Sequence, residues 1–209
     1  MAVSATAFAP RRAVFLDKDG TLVENIPFNV DPARIRLTPH AEEAVRRLAD
    51  AGFVLAIVTN QPGVAQGLFD ESALSPVAGE ISSRLAALGV PLSGFYYCPH
   101  DPLGIVERYR RVCDCRKPAQ GLLSRAAREL DLDLDASWLV GDILDDIEAG
   151  RRAGCRTVLV DNGNETKWRV DTSRLPHHIV DDLDQAARLI VELDAASRER
   201  AITAALGRR

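Results

Sequence analysis

Short apolar runs of strand length alternate along this chain with longer stretches whose apolar residues recur at helical spacing. Strands are expected near 13–17, 53–58, 94–97, 138–141 and 157–160, and helices near 40–51, 70–89, 119–130 and 145–153. Within 40–51, Ala41, Ala44, Val45 and Leu48 share one helical face, while Glu42, Glu43, Arg46 and Arg47 take the other, the pattern of a helix laid on a sheet. Thr38-Pro39 and Gly52 supply its start and stop signals. The alternation predicts βαβ units around an α/β, Rossmann-like, mostly parallel sheet flanked by helices. Residues 161–175 read as a surface loop, Leu183–Leu193 as a closing helix, and His177-His178 as a surface turn before a further short strand. The acidic stretches Asp31–Glu43 and Asp181–Asp184 read as solvated faces. One domain is expected over 12–193, with a flexible tail at 1–11 and a helix end or tail at 194–209.

Composition narrows the class. A chain of 209 residues with 46% hydrophobic and 27% charged residues suits one well-cored globular domain. Its formal charge of −4 argues against nucleic-acid binding through a broad basic surface, so an anionic partner must be held by local cations. No apolar run reaches the roughly 20 residues a bilayer requires, and Met1–Arg12 lacks the core of a secretory signal. A cytoplasmic monomer without membrane or nucleic-acid partners is the expectation.

The chemistry lies at the strand ends. Ala13-Val14-Phe15-Leu16 runs into Asp17-Lys18-Asp19-Gly20-Thr21. Two desolvated acids this close repel unless a cation lies between them or they do different jobs, and phosphoryl transfer offers such jobs: one attacks phosphorus and the other protonates the leaving oxygen. The competing reading is a strand terminated by Asp and Gly. The second apolar run ends in Thr59-Asn60-Gln61, short neutral donors suited to a phosphoryl oxygen. Cys115-Arg116-Lys117-Pro118 brings two cations before a helix, and Trp138-Leu139-Val140-Gly141 ends in Asp142, with Asp145 and Asp146 beyond.

Three of the four cysteines cluster. Cys98, His100, Cys113 and Cys115 form a C-x-H and a C-x-C pair, thiolate and imidazole donors that suit Zn²⁺. A Cys₃His set closes a tetrahedral shell, so such a zinc is structural, and it would restrict where the adjacent Arg116 and Lys117 point. The alternative is a group of small buried residues plus a surface histidine. Cys155 reads as a small buried residue.

The strings DKDGT, TNQ, RKP and GDILDD, in this order at strand ends, resemble the four motifs of the haloacid dehalogenase superfamily of phosphatases. The likeness spans roughly 12–190 and is greatest to the small bacterial D-glycero-D-manno-heptose 1,7-bisphosphate phosphatases, then to histidinol-phosphate phosphatase. It implies a Mg²⁺-dependent phosphoric monoester hydrolase without a cap domain, the segment from Thr21 to His40 being too short for one. In it Asp17 is the nucleophile, Asp19 the acid and then the base, and Thr59, Asn60 and Lys117 hold the phosphoryl group. The metal falls to the Asp17 carboxylate, the Asp19 carbonyl and Asp142. Asp146 steers the metal's waters or Lys117, or else is an acid in the first turn of a helix, the role given to Asp145. A sugar bisphosphate is bordered by Asn25, Phe28 and Gln61, and Arg116 pairs with a second anionic group. The resemblance also implies zinc on Cys98, His100, Cys113 and Cys115. The chain departs from the heptose pattern at Pro62, Gln66 and Ile143, changes that touch specificity and spare the phosphoryl-transfer core. A histidinol or other small-molecule phosphatase is the enzymatic alternative. A non-catalytic phospho-ligand binding protein is the other, and the joint presence of Asp17, Asp19, Lys117 and Asp142 argues against it.

Overall fold

A computed structural model describes residues 11–206. Six strands, β1 (Ala13–Leu16), β2 (Val54–Asn60), β3 (Leu92–Cys98), β4 (Trp138–Gly141), β5 (Arg156–Val160) and β6 (His178–Val180), form one sheet in the order β3-β2-β1-β4-β5-β6. Every pairing is parallel, so all strands deliver their carboxyl ends to one edge. The helices are α1 (Ala41–Asp50), α2 (Leu74–Ala87), α3 (Gly121–Leu130), α4 (Leu144–Arg152) and α5 (Leu183–Leu206).

Two hydrophobic layers follow from strand parity. Val14, Leu16, Leu55, Ile57, Trp138 and Val140 pack with the apolar stripes of α1, α2 and α5. Ala13, Phe15, Ala56, Val58 and Leu139 face the other way, toward Leu122, Leu123 and Ala126 of α3 and Ala149 of α4. β1 and β4 are covered on both faces, which is why they read as unbroken apolar runs.

The expected elements are present, with shifted ends. α2 begins at Leu74, after a 3₁₀ turn at Glu71–Ala73, and not near 70. A helix from 70 would place Pro76 in its interior, whereas a start at 74 puts it in the first turn, where its missing N–H is no loss. α5 continues well past 193 to Leu206. Residues 1–10, where most of the tail was expected, lie outside the described residues. Arg11 and Arg12, at the tail's edge, are engaged: Arg11 bridges to Leu132, and Arg12 pairs with Asp194 at 3.0 Å and lies over the Phe53 ring. Asp184 is also not part of a solvated face. It is buried and ties α5 to α1 through Arg47 at 3.3 Å. His177 accepts the Thr157 N–H at 3.0 Å.

The connections beyond the carboxyl ends of β1, β2 and β3, residues 17–40, 61–73 and 99–120, contain only turns, bridges and 3₁₀ helices, so no inserted domain covers the strand tips among the described residues. No described helix is long and apolar enough to cross a membrane.

Candidate active site

The strand order reverses between β1 and β4, and ligands in open parallel sheets bind beyond the carboxyl ends at such a point. The Asp17 N–H donates to Val140 O at 3.0 Å, keeping the two strands in register until each ends in an acid. Asp17, Asp142 and Asp146 are all buried, and one carboxylate oxygen from each lies within 4.8 Å of the others.

Lys117 enters this group from the loop before α3. Its Nζ lies 2.6 Å from Asp17 Oδ1 and 2.5 Å from Asp146 Oδ1, and donates to Val58 O at 2.9 Å. The side chain is only 2% exposed. Burial alone would push its ammonium down, but Asp146 and Asp17 hold it above its ordinary value. Asn60 fixes the backbone that delivers it, accepting from the Lys117 N–H at 3.0 Å and donating to Lys117 O at 2.9 Å. The side chain of Asn60 is thus committed to positioning the lysine.

Asp19 sits apart from this cluster. Its Oδ1 meets Lys18 Nζ at 2.6 Å and its Oδ2 accepts from Gln61 Nε2 at 3.0 Å, which also donates to Thr59 Oγ1 at 3.0 Å. Burial raises the Asp19 carboxyl above the usual range, with Lys18 opposing. The two acids of the D-x-D string therefore occupy different environments, the condition for splitting nucleophile from proton donor.

Asp142 accepts from Thr21 Oγ1 at 3.1 Å and from Asn164 Nδ2 at 2.7 Å. Burial, then the Asp17 charge, pushes it up to about 6. Three buried carboxylates against one ammonium leave excess negative charge, and hard oxygen donors in this arrangement suit Mg²⁺. Gly20, at φ +88°, lies against this group: a methyl there would stand 2.1 Å from Asp142 Oδ2 and 2.4 Å from Asn164 Nδ2. Asp146 fills both roles considered for it. It pairs with Lys117 and accepts the Ile143 N–H at 3.3 Å at the start of α4. Asp145 pairs with Arg174.

Sequence reasoning missed Lys18, Thr21, Asn162 and Asn164. Lys18 and Thr21 stand inside or beside the first motif, where their side chains were readable as candidates. Asn162, which donates to Gly20 O at 2.7 Å, and Asn164 come from a stretch whose composition signals only a turn.

The Cys98, His100, Cys113 and Cys115 ligand atoms are gathered at the end of β3. Cys98 Sγ lies 3.5 Å from Cys113 Sγ and 3.0 Å from Cys115 Sγ, and His100 Nδ1 lies 3.2 Å from Cys115 Sγ. The edges of a tetrahedron around zinc, with its usual bond lengths, are roughly 3.4–3.8 Å, so the donor set fits that ion in kind and nearly in size. The hydrogen bond with Cys98 pulls the Cys115 thiol down to about 5, toward the thiolate that binds metals. Arg116, next in sequence, donates to His100 O at 3.2 Å, and Gln66 donates to Asp101 Oδ2 at 3.0 Å, so the loops after β2 and β3 are tied together. Asn25 and Phe28 are exposed, and a methyl at Gly63 would come within 3.1 Å of the Phe28 ring, which places Phe28 against the segment after Gln61.

A profile for HAD-like hydrolases matches residues 114–186. The chain is 39% identical over 180 residues to a D-glycero-beta-D-manno-heptose-1,7-bisphosphate 7-phosphatase of Photorhabdus laumondii, covering 86% of this chain and 89% of the relative. It is 42% identical over 158 residues to the protein of the same name from Escherichia coli K12, covering 72% and 80%. The D,D-heptose 1,7-bisphosphate phosphatase of B. bronchiseptica, crystallised with magnesium and phosphate, superposes with a TM-score of 0.71 at 29% identity, over 87% of this chain and 98% of that one. With its parallel sheet and the acids at its strand ends, the chain belongs to the HAD-like phosphatases, a family of phosphoric monoester hydrolases. The Photorhabdus and Escherichia coli relatives both carry the name of one activity, the removal of the 7-phosphate from a heptose 1,7-bisphosphate.

Proposed function

We propose that this protein hydrolyses D-glycero-D-manno-heptose 1,7-bisphosphate at the 7-phosphate through an aspartyl-phosphate intermediate, with Mg²⁺ as catalytic and Zn²⁺ as structural ion. The observation that carries this reading is Asp17 at the point of strand reversal, held by Lys117 at 2.6 Å, with Asp19 two residues on bound to Gln61 and Lys18. Magnesium held by the Asp17 carboxylate, the Asp19 carbonyl and Asp142 would screen the nucleophile from the anionic phosphoryl group. Asp17 attacks phosphorus with a carboxylate oxygen, the bond from phosphorus to the sugar oxygen breaks, and Asp19 gives that oxygen its proton. Asp19 then takes a proton from water as the water oxygen attacks phosphorus. The bond to Asp17 breaks, and inorganic phosphate leaves. Lys117, Thr59 and the backbone around Asn60 neutralise and orient the phosphoryl oxygens. Gln61, Asn25 and Phe28 border the sugar, and Arg116 faces its far end.

The test is phosphate release across both anomers of heptose 1,7-bisphosphate, histidinol phosphate and simple sugar phosphates, with Mg²⁺, after EDTA, and after Mg²⁺ is restored. Preference for a heptose anomer with Mg²⁺-dependent turnover is expected. A preference for histidinol phosphate would move the substrate. Asp17→Asn should lower kcat roughly ten-thousandfold or more while the fold is kept.

A further inference from the structure

The open edge of the sheet carries a second cleft, away from the carboxylate group. β3 ends the strand order, and between it, the loop that carries Tyr109, and α3 lies a solvent-open space of about 530 Å³, within the range of small-molecule sites. Asp17, Asp19, Lys117 and Asp142 take no part in its walls, whereas Phe95, Tyr97, Tyr109, Arg111, Arg125 and Arg128 do. The chain has three tyrosines, Tyr96, Tyr97 and Tyr109. Two of them face this one space, and the third lies beneath Arg125, whose guanidinium carbon is 5.6 Å from the Tyr96 ring centre.

The rings are offered as faces and not as hydroxyls. Tyr97 donates its O–H to Glu71 Oε1 at 3.0 Å, and Tyr109 to Glu71 Oε2 at 2.5 Å. Those two bonds hold both rings and engage both oxygens of an acid that would otherwise repel an anion. Arg108, which is not part of the wall, backs Tyr109 at 4.6 Å from its ring centre. The cations of the wall are less committed. Arg111 donates to His100 Nε2 at 2.6 Å, and neither it nor Arg128, both exposed, forms an ion pair among the described residues. Arg125 meets Glu129 at 2.8 Å in an exposed contact that holds it weakly. Asp114, exposed, is the one acid of the wall without a side-chain bond among the described residues. Three guanidiniums against it leave a positive cleft in a protein of net charge −4.

Aromatic faces stack on planar heterocycles, and guanidinium groups fork onto phosphate oxygens. A sugar phosphate would leave the rings unused, and a neutral aromatic compound the arginines. We infer that this cleft binds a nucleoside phosphate, with the base on the Tyr97 and Tyr109 rings and the phosphates on Arg111, Arg125 and Arg128. The site is separate from the proposed catalysis and does not depend on it.

The test uses the full chain as Asp17→Asn, to suppress turnover of the ligand, with ring-labelled tyrosine, so that NMR reads three ring environments. Tyr97→Phe and Tyr109→Phe assign the signals. ADP should shift those of Tyr97 and Tyr109 saturably, while adenosine and pyrophosphate, each supplying one part of the ligand, should bind at least about tenfold more weakly. Arg125→Ala/Arg128→Ala, at two exposed positions, should raise the Kd for ADP about tenfold or more, the loss expected for charge-assisted bonds. No shift at Tyr97 or Tyr109 in millimolar ADP would overturn the inference. So would pyrophosphate or phosphotyrosine binding as tightly as ADP. An unchanged Kd in the alanine pair would also overturn it, by placing the nucleotide elsewhere, the catalytic crevice included.

Discussion

Replacing Lys117 with Met would leave Asp17 and Asp146, both buried, facing each other without the ammonium that now touches each. Removing one partner of a buried ion pair costs about 3–5 kcal/mol, so urea unfolding of metal-free Lys117→Met should show a loss of that order, together with loss of turnover. A loss below about 1 kcal/mol would mean that the ion pairs add little net stability, the buried acids taking up protons once the ammonium is gone. Asp19 predicts a pH effect. Its carboxyl is lifted by burial, so it keeps its proton to higher pH than an exposed aspartate, and protonation of a poor leaving group should fail only as pH rises through that raised value. Asp19→Asn should remove this alkaline limb from kcat/KM for an alkyl phosphate and have less effect on kcat/KM for p-nitrophenyl phosphate, whose leaving group needs no proton. Asp17 and Asp19 were legible as candidates because a fold gains nothing from two acids at a buried strand end. Lys117 was legible because its string stands directly before a helix. Asn60 was read as a donor to substrate, yet its amide spans Lys117 N and O, a contact 57 residues away that no local pattern encodes.

At the scale of elements, the loop after β3 joins the Cys98, His100, Cys113 and Cys115 cluster to Lys117, since Cys115, Arg116 and Lys117 are consecutive. Cys113→Ser should lower zinc content and reduce kcat without abolishing the far-ultraviolet signature of the sheet and helices. Full activity in a folded, zinc-free protein would separate the loop from catalysis. The turn after β1 makes a second element-level prediction. Gly20→Ala places a methyl 2.1 Å from Asp142 Oδ2 at a φ of +88°, so it should weaken Mg²⁺ activation more than it lowers the melting temperature. Strands were readable as unbroken apolar runs because both sheet faces are covered, and α1 and α3 from their apolar stripes. Their ends were less so: the onset of α2 hangs on Pro76, and the length of α5 past 193 follows a stretch whose charges and alanines carry little apolar signal.

Across the whole molecule, the N-terminal edge of the sheet is fastened to the last helix. Arg12 pairs with Asp194 at 3.0 Å, donates to Ala51 O at 2.7 Å and lies 4.5 Å over the Phe53 ring. Asp194→Ala should cost about 1–3 kcal/mol by leaving that guanidinium partly buried and unpaired, with kcat unchanged, because the contact is remote from the strand tips. Thermal unfolding alongside steady-state kinetics decides it, and an equal fall in activity would contradict that separation. The parallel class of the sheet followed from the alternation of elements, but the tie between Arg12 and Asp194 joins the first residue of the expected domain to a stretch read as a helix end or tail.

The strand order also has a meaning in time. Asp17 and Lys117 are 100 residues apart in the chain, and Thr21 is 121 residues from its partner Asp142. The four metal-type ligands of the β3 loop, by contrast, all fall between Cys98 and Cys115. As the polypeptide leaves the ribosome, the cysteine and histidine cluster can gather while β4 has yet to be made, whereas the carboxylate group waits for β4 to pair with β1. The carboxylate group is therefore completed late in biogenesis, and a chain that ends before β4 lacks Asp142 and Asp146.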